Sequence, residues 1–353
     1  MTSNKGRDHQ QQAELKYLED VILREYDLRA IKKIKGGPGT WKVTTDRGDR
    51  FLKHSKCTKE GLEFVRQVLE HTANHGFRRV ARFLVTKFGD HFILDKGNLF
   101  YLTDWIEGKE CTLSRLPHLE EAVLTLAEFH QAARGFAGGE PVRQEWGSWI
   151  EVFAQKADRI QELAKVLEER KSVSQLEKLI SVRASGIYAW ASQALSLLEQ
   201  GDFPELVERE RKSGTICHRS YSASNIILSK RVGGAYIVDL DHCVHDVQVW
   251  DLARLMGRAL PKYQWDITIA HQLVDWYSGV RKLDDLEQKA LVAYLAFPHR
   301  LYPYLELSPS PSNLDQEDKL VGKFQQEVLQ DELRKKCLIK FAAERKLGLK
   351  LEI

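Results

Sequence analysis

Thr215-Ile-Cys-His-Arg-Ser-Tyr-Ser-Ala-Ser-Asn-Ile-Ile-Leu-Ser229 begins apolar, passes through a polar loop and ends in a strand signal over Asn225 to Leu228. A turn at Arg231 to Gly234 leads into a second apolar run, Ala235-Tyr-Ile-Val-Asp-Leu-Asp241. Two adjoining strands of this kind bring Asn225 and Asp239 toward each other. An amide oxygen and a carboxylate are hard ligands suited to Mg²⁺, which completes its shell with water and phosphate. Asp241 lies on the same face as Asp239 if the strand continues that far. The same residues also read as ordinary polar groups at loop edges, and the spacing leaves both readings open. Asp251 opens the helical run Asp251-Leu-Ala-Arg-Leu-Met256, where it is placed to cap the helix and to hold the polar loop through backbone N–H groups.

Upstream, the chain reads as a small sheet with helices. Leu15, Leu18, Ile22 and Tyr26 recur at helical spacing over 14 to 26. An alternating region follows: Ile31 to Ile34, the turn Gly36-Gly37-Pro38-Gly39, Trp41 to Thr45, the turn Asp46 to Asp49, and Arg50 to Lys53. Lys53 near a strand end either faces solvent or reaches into a cleft. Leu62, Val65, Val68, Leu69 and Thr72 form one helical stripe from Lys59 to His75, ended by Gly76. Glu60 and Glu63 near its start favour the helix dipole, and either could orient Lys53. Further strands are expected at Phe83 to Lys87, His91 to Leu94 and Leu99 to Trp105. The change of pattern at Trp105-Ile106-Glu107-Gly108 sets a division into 1–105, a β-rich lobe, and 106–353, a helical lobe carrying the loops at 216–241.

The second half is helical at 116 to 133, where His130 reads as a core, capping or catalytic histidine. Less regular helical patterns run over 149 to 180 and 185 to 200, then 266 to 277, 284 to 296 and 319 to 346. Leu307-Ser-Pro-Ser-Pro-Ser312 is a break. Arg334, Lys335 and Lys336 with the basic residues after them read as a solvated helix face or a partner surface.

Lys and Arg number 53 against 50 Asp and Glu, a balance too even for a nucleic-acid-binding protein. The five cysteines include no C-x-x-C pair, which points away from a disulfide framework or zinc site and toward a reducing compartment. The polar start MTSNKGRDHQQQ lacks the apolar region of a signal peptide. No stretch reaches the roughly 18 apolar residues of a membrane span, so no membrane partner is expected.

Ile216-Cys-His-Arg-Ser-Tyr with Asn225, then Tyr236-Ile-Val-Asp-Leu-Asp-His-Cys243 and Asp251-Leu-Ala-Arg, resemble the CotS-type spore coat proteins of the aminoglycoside phosphotransferase and choline kinase group. Tyr101-Leu-Thr-Asp-Trp-Ile-Glu-Gly108, Cys111, His75-Gly76-Phe77 and Leu126-Ala-x-Phe-His130 carry the same resemblance. It covers most of residues 14 to 305. It implies an α+β, two-lobed protein-kinase-like fold, with ATP and Mg²⁺ as cofactors. Lys53 would hold the nucleotide phosphates, with Glu60 or Glu63 as its partner. Gly36 to Thr40, including Gly37 and Gly39, would cover them, and the backbone at Trp105 and Ile106 would meet adenine. Asn225 and Asp239 would be the metal-binding pair, with Asp241 left as the weaker further ligand that strand continuation offers. The group carries His-Gly-Asp where this chain reads His218-Arg219-Ser220, so Ser220 stands at the catalytic-base position and lacks an anionic form near neutral pH. The resemblance therefore implies a degenerate scaffold, a pseudokinase of sporulation made in the mother cell, placed in the spore coat among other coat proteins. The alternative is an atypical phosphotransferase acting on a small hydroxyl-bearing molecule or coat component.

Overall fold

The computed structural model describes residues 16–30, 35–37, 39–138, 143–169, 174–200, 202–229, 234–307 and 314–351. Contacts divide the chain into two compact units. One comprises Met1–Cys111, Phe136–Arg143 and Ser224–Cys243; the other comprises Thr112–Gly135, Gln144–Ala223 and Val244–Ile353. The units interleave along the chain, whereas the division at Trp105 cuts it once. The difference has a backbone cause. The hairpin of β8 (Ile226–Ser229) and β9 (Gly234–Ile237) pairs with β6 (Lys109–Glu110), and the Ile237 N–H donates to the Arg79 carbonyl at 2.8 Å.

In the first unit β1 (Lys35–Gly37), β2 (Thr40–Thr45), β3 (Gly48–Ser55), β5 (Asn98–Asp104) and β4 (Ile93–Asp95) form an antiparallel sheet in that order. Alternation along β2 buries Trp41, Val43 and Thr45 and turns their neighbours outward. Trp41, Val43, Leu52, Phe100 and Leu102 pack on Leu18, Ile22, Leu23 and Tyr26 of the N-terminal helical segment. Register places Thr40 opposite Lys53 and Lys53 opposite Tyr101, so these three make a row on the other face. There, α1 (Lys59–Asn74) contributes Leu62, which packs with Leu99 and Tyr101.

Two expected strands, Phe83 to Lys87 and His91 to Leu94, differ. Ile31 to Ile34 lies outside the described residues. Phe83 to Lys87 makes only a bridge from Phe83 to Thr103, because the Thr86 hydroxyl draws the Phe88 and Asp90 N–H groups into a turn. His91 to Leu94 is reduced to a strand that begins at Ile93.

The second unit holds α2 (Leu116–Ala132), α3 (Ser148–Glu169), α4 (Gln175–Glu199), α5 (Phe203–Lys212), α6 (Val249–Ala259), α7 (Ile267–Val280), α8 (Asp285–Ala296), the single turn α9 (Tyr302–Leu305) and α10 (Leu314–Glu344). A two-stranded ladder joins β7 (Ile216–Cys217) to β10 (Val244–His245). The helix expected over 149 to 180 is two helices, because Ser174 and Glu177 form a reciprocal capping box that starts α4. Asp284 and Glu287 do the same for α8. Glu287 also receives Arg281 at 2.6 Å in a buried cluster that includes Glu210. Part of the basic C-terminal face is corrected too. Arg334 and Lys335 are 5% and 8% exposed, pair with Asp331 and lie over Trp190. The Leu307 to Ser312 break falls, beyond Leu307, outside the described residues.

The Thr58 hydroxyl accepts the Gly61 N–H at 3.1 Å and caps α1. Thr58→Ala is expected to cost about 1 kcal/mol and lower the urea midpoint, while Thr58→Ser stays near the parent.

Candidate functional site

In the first unit, Lys53 extends from β3 to two carboxylates. Its Nζ lies 2.6 Å from Asp239 and 3.0 Å from Asp241, and its side chain is 13% exposed. Burial alone would pull the ammonium pKa down, but Asp241 and Asp239 outweigh it and raise the value. The Asp241 carboxylate also accepts hydrogen bonds from the Ser55 and Tyr101 hydroxyls, each at 2.8 Å. Burial, then the neighbouring carboxylates, raises the Tyr101 pKa well above normal, which keeps that phenol a donor. The Asp241 carbonyl is gripped by Arg143 Nη1 at 2.6 Å and by Cys57 Sγ at 3.3 Å.

The strand leading to these carboxylates does not continue as expected. It ends at Ile237, and Asp239 takes the left-handed conformation at φ 63°. A bent loop, rather than strand alternation, brings both carboxylates to Lys53. Asn225 closes the short turn Ala223–Asn225, and its carbonyl accepts the Val238 N–H at 3.0 Å. Asn225 and Asp239 line one cavity of about 360 Å³ with Thr40, Tyr101, Trp105 and Ile106. Among the described residues no group of three or more His, Cys, Asp or Glu side chains is arranged to hold a metal ion. Any Mg²⁺ here would thus rest on a few oxygens and on the phosphates of its ligand.

Other expected residues are arranged differently. Helix phase separates Lys53 from both glutamates of α1. Leu62 takes the inward position, Glu60 is exposed, and Glu63 holds Arg66 at 2.5 Å. The Trp105 N–H is donated to the Asp49 carbonyl at 3.2 Å, so it is occupied within the sheet. The Trp105 indole is 37% exposed and lies under the Lys42 ammonium at 4.4 Å. Gly39 has φ 75°, and its carbonyl accepts the His54 N–H at 2.8 Å, so the turn between β1 and β2 is fixed at the row containing Lys53. Gly37 ends β1, and Pro38 lies outside the described residues.

The second unit holds His218, Arg219 and Ser220. Fully buried Asp251 accepts the N–H of His218 at 2.6 Å and of Arg219 at 2.9 Å. His130 is a core residue whose Nε2 lies 3.1 Å from Asp251 and whose Nδ1 lies 2.7 Å from the Tyr277 hydroxyl. Burial lowers the His130 pKa, so the ring is neutral and donates from Nε2 to Asp251. Burial alone would raise Asp251, but the His130 hydrogen bond and the other donors hold it below the usual carboxylate range. The Ser220 N–H meets His218 Nδ1 at 3.2 Å. Arg219 occupies the left-handed region at φ 64°, which favours glycine. Its guanidinium pairs with Glu145, lies 3.2 Å from Asp246 and stacks 4.1 Å from the Trp250 ring centroid.

Ser55, Tyr101, Arg143 and Asp246 were missed in the sequence reading. Ser55 stands two residues from Lys53, and Tyr101 opposes it across the ladder, so period-two alternation could have flagged both. Arg143 and Asp246 act through the fold and leave no local signal.

Together these units define a two-lobed, α+β kinase-like fold of the aminoglycoside phosphotransferase type, with a small antiparallel lobe and a larger helical one. An aminoglycoside phosphotransferase from Alicyclobacillus acidocaldarius has a similar structure, with a TM-score of 0.79 and 22% identity, covering 92% of this chain and 95% of that one. Spectinomycin phosphotransferase APH(9)-Ia, solved with ADP and spectinomycin, gives 0.58 at 12% identity over 90% and 98%. In sequence the chain is 23% identical over 275 residues to spore coat protein S of Bacillus subtilis (strain 168), covering 76% of this chain and 77% of that protein. The model of the family described as "Spore coat putative kinase YutH" matches residues 19–341, and the chain belongs to this family.

Two measurements check the electrostatics. In a double-mutant cycle, Lys53→Met and Asp239→Asn are each expected to lower the urea midpoint, with a coupling of order 1 kcal/mol. Asp246 is pushed up to about 7 by burial despite Arg219. Its folded form thus holds a proton that the unfolded carboxyl releases near pH 4. The linked stability is complete below that unfolded value and is lost as pH rises through about 7. Thermal melts of Asp246→Asn should lack this slope.

Proposed function

We propose that the protein binds a magnesium-nucleotide in its first unit and is an atypical ATP-dependent phosphotransferase of the spore coat, acting on a small hydroxyl-bearing molecule or a coat component. The observation that carries this reading is Lys53 clasped by Asp239 and Asp241 at a cavity that Asn225 also lines. One ammonium against two carboxylates leaves the set with a single negative charge, unsuited to bare triphosphate. A divalent cation reverses that sign. With a metal-nucleotide bound, Lys53 would face the phosphates and Asn225 and Asp239 would offer oxygens to the metal, which would supply charge neutralisation. Nucleotide affinity is accordingly Mg²⁺-dependent.

The acceptor would be handled by the His218 to Ser220 loop, where Ser220 cannot take a proton as a carboxylate does. Positioning and charge supply most of the catalysis in phosphoryl transfer, so Ser220 slows the reaction without removing its basis. Kinship with spore coat proteins supports assembly with other coat proteins, and synthesis would then be in the mother cell. A second reading rests on Ser220 and Arg219: a coat structural or interaction protein on a degenerate scaffold, with or without retained nucleotide binding.

With ATP and Mg²⁺ and a panel of hydroxyl compounds and coat extracts, slow transfer is expected, absent from Lys53→Ala and Asp239→Ala. Ser220→Asp should accelerate it by about 10²-fold. Mg²⁺-dependent ATP binding in calorimetry without transfer above those controls would leave the second reading. Absence of any ATP or ADP binding would overturn the phosphotransferase reading and leave a scaffold that does not use nucleotide.

A further inference from the structure

The helical unit contains a cavity of about 440 Å³ whose wall carries Lys156, Arg219, Arg254, Arg258 and Arg300 and no carboxylate. Two of these cations are answered nearby: Arg219 by Glu145 and Asp246, and Arg300 by both oxygens of Glu327. Lys156, Arg254 and Arg258 form no ion pair among the described residues. Arg258 donates to the Tyr221 carbonyl at 3.0 Å, and Lys156 lies 5.3 Å from the Tyr302 ring centroid. Arg254 lies 4.4 Å from the centroid of Trp250, the ring that Arg219 also covers. A guanidinium stacked on an aromatic face keeps its in-plane N–H groups available, the fork that meets phosphate or carboxylate oxygens.

The carboxylates around this cavity do not neutralise it. Asp251 is committed to His130 and to two backbone N–H groups, and Glu306 acts on Lys156 only at a distance. The cations therefore repel one another in a partly desolvated space. Burial first, then Arg254, lowers the pKa of both Lys156 and Arg258. Burial, then Lys156, pushes His299 down to about 3, so this wall residue stays neutral. Maintaining three like charges in one cavity costs free energy that a bound anion would return.

We propose that this cavity is a binding site for a small, multiply charged oxyanion, a phosphate ester or a polycarboxylate, held by Lys156, Arg254 and Arg258 over Trp250. The site lies within the helical unit and goes beyond the nucleotide reading, on which it does not depend. Its size suits a ligand of several heavy atoms beyond the anionic group. Its charge excludes the polycations and ammonium compounds that an acidic pocket would select.

Inorganic pyrophosphate and citrate, without Mg²⁺ and at low salt, are the probes, read by calorimetry and thermal shift. Pyrophosphate is expected to bind and raise the melting temperature. Arg254→Gln should weaken it at least tenfold, while Lys53→Met leaves it unchanged. Lys156→Met should melt higher than the parent without ligand, because a like charge is gone, and gain less from pyrophosphate. Stronger binding of citrate than of pyrophosphate would assign a polycarboxylate, and the reverse a phosphate ester. Loss of binding in Lys53→Met with retention in Arg254→Gln, or no binding of either anion, would overturn the proposal.

Discussion

Asp241 is held at both ends of its residue. Its carboxylate receives Lys53, Ser55 and Tyr101, and its carbonyl receives Arg143 and Cys57. At 5% exposure, such a carboxylate is tolerable only when paired and hydrogen-bonded. That requirement fixes the row on the sheet, because moving β3 or β5 by one residue would turn Lys53, Ser55 and Tyr101 to the opposite face. It also ties the segment Ser224–Cys243 to the sheet despite its distance in sequence, and so sets where Asn225 and Asp239 stand.

The helical unit repeats this principle with a different donor set. Asp251 is buried and anionic because a neutral histidine and two consecutive backbone N–H groups are directed at it. Asp246 has weaker support: Trp149 donates to one of its oxygens at 3.2 Å, Arg219 lies 3.2 Å from it, and burial outweighs both. Two aspartates five residues apart are thus shifted in opposite directions through their donors rather than through their burial, which is complete for both.

Much of the fold was legible because its signals are local. The stripe Leu62, Val65, Val68, Leu69 and Thr72 is buried as its period requires, and Gly76 ends the helix at φ 95°. The hairpin around Asp46 to Asp49 joins β2 to β3 in register. What was illegible depended on competition or distance. The Thr86 hydroxyl holds the Phe88 and Asp90 N–H groups in a turn, which cuts short a strand that composition favours. Glu60 and Glu63 were indistinguishable as partners for Lys53, and the phase of Leu62 directs both elsewhere. Asn225, Asp239 and Asp241 stand out in the sequence by type and spacing, and Asp239 and Asp241 both reach Lys53. Ser55 and Tyr101 needed the ladder register, and Arg143 needed the whole unit.

Arg219 carries a consequence of a different kind. An arginine in the left-handed region costs about 1–2 kcal/mol relative to ordinary backbone. The chain offsets this through Glu145, Asp246, Trp250 and the two N–H bonds to Asp251. Backbone shape and side-chain identity have become separable there. The loop has a contour suited to glycine while its surface presents a guanidinium, so the path of the backbone into Ser220 is set by contacts rather than by the intrinsic preference of residue 219. The shape of this loop is thus held by its partners and not by the residue that bears it.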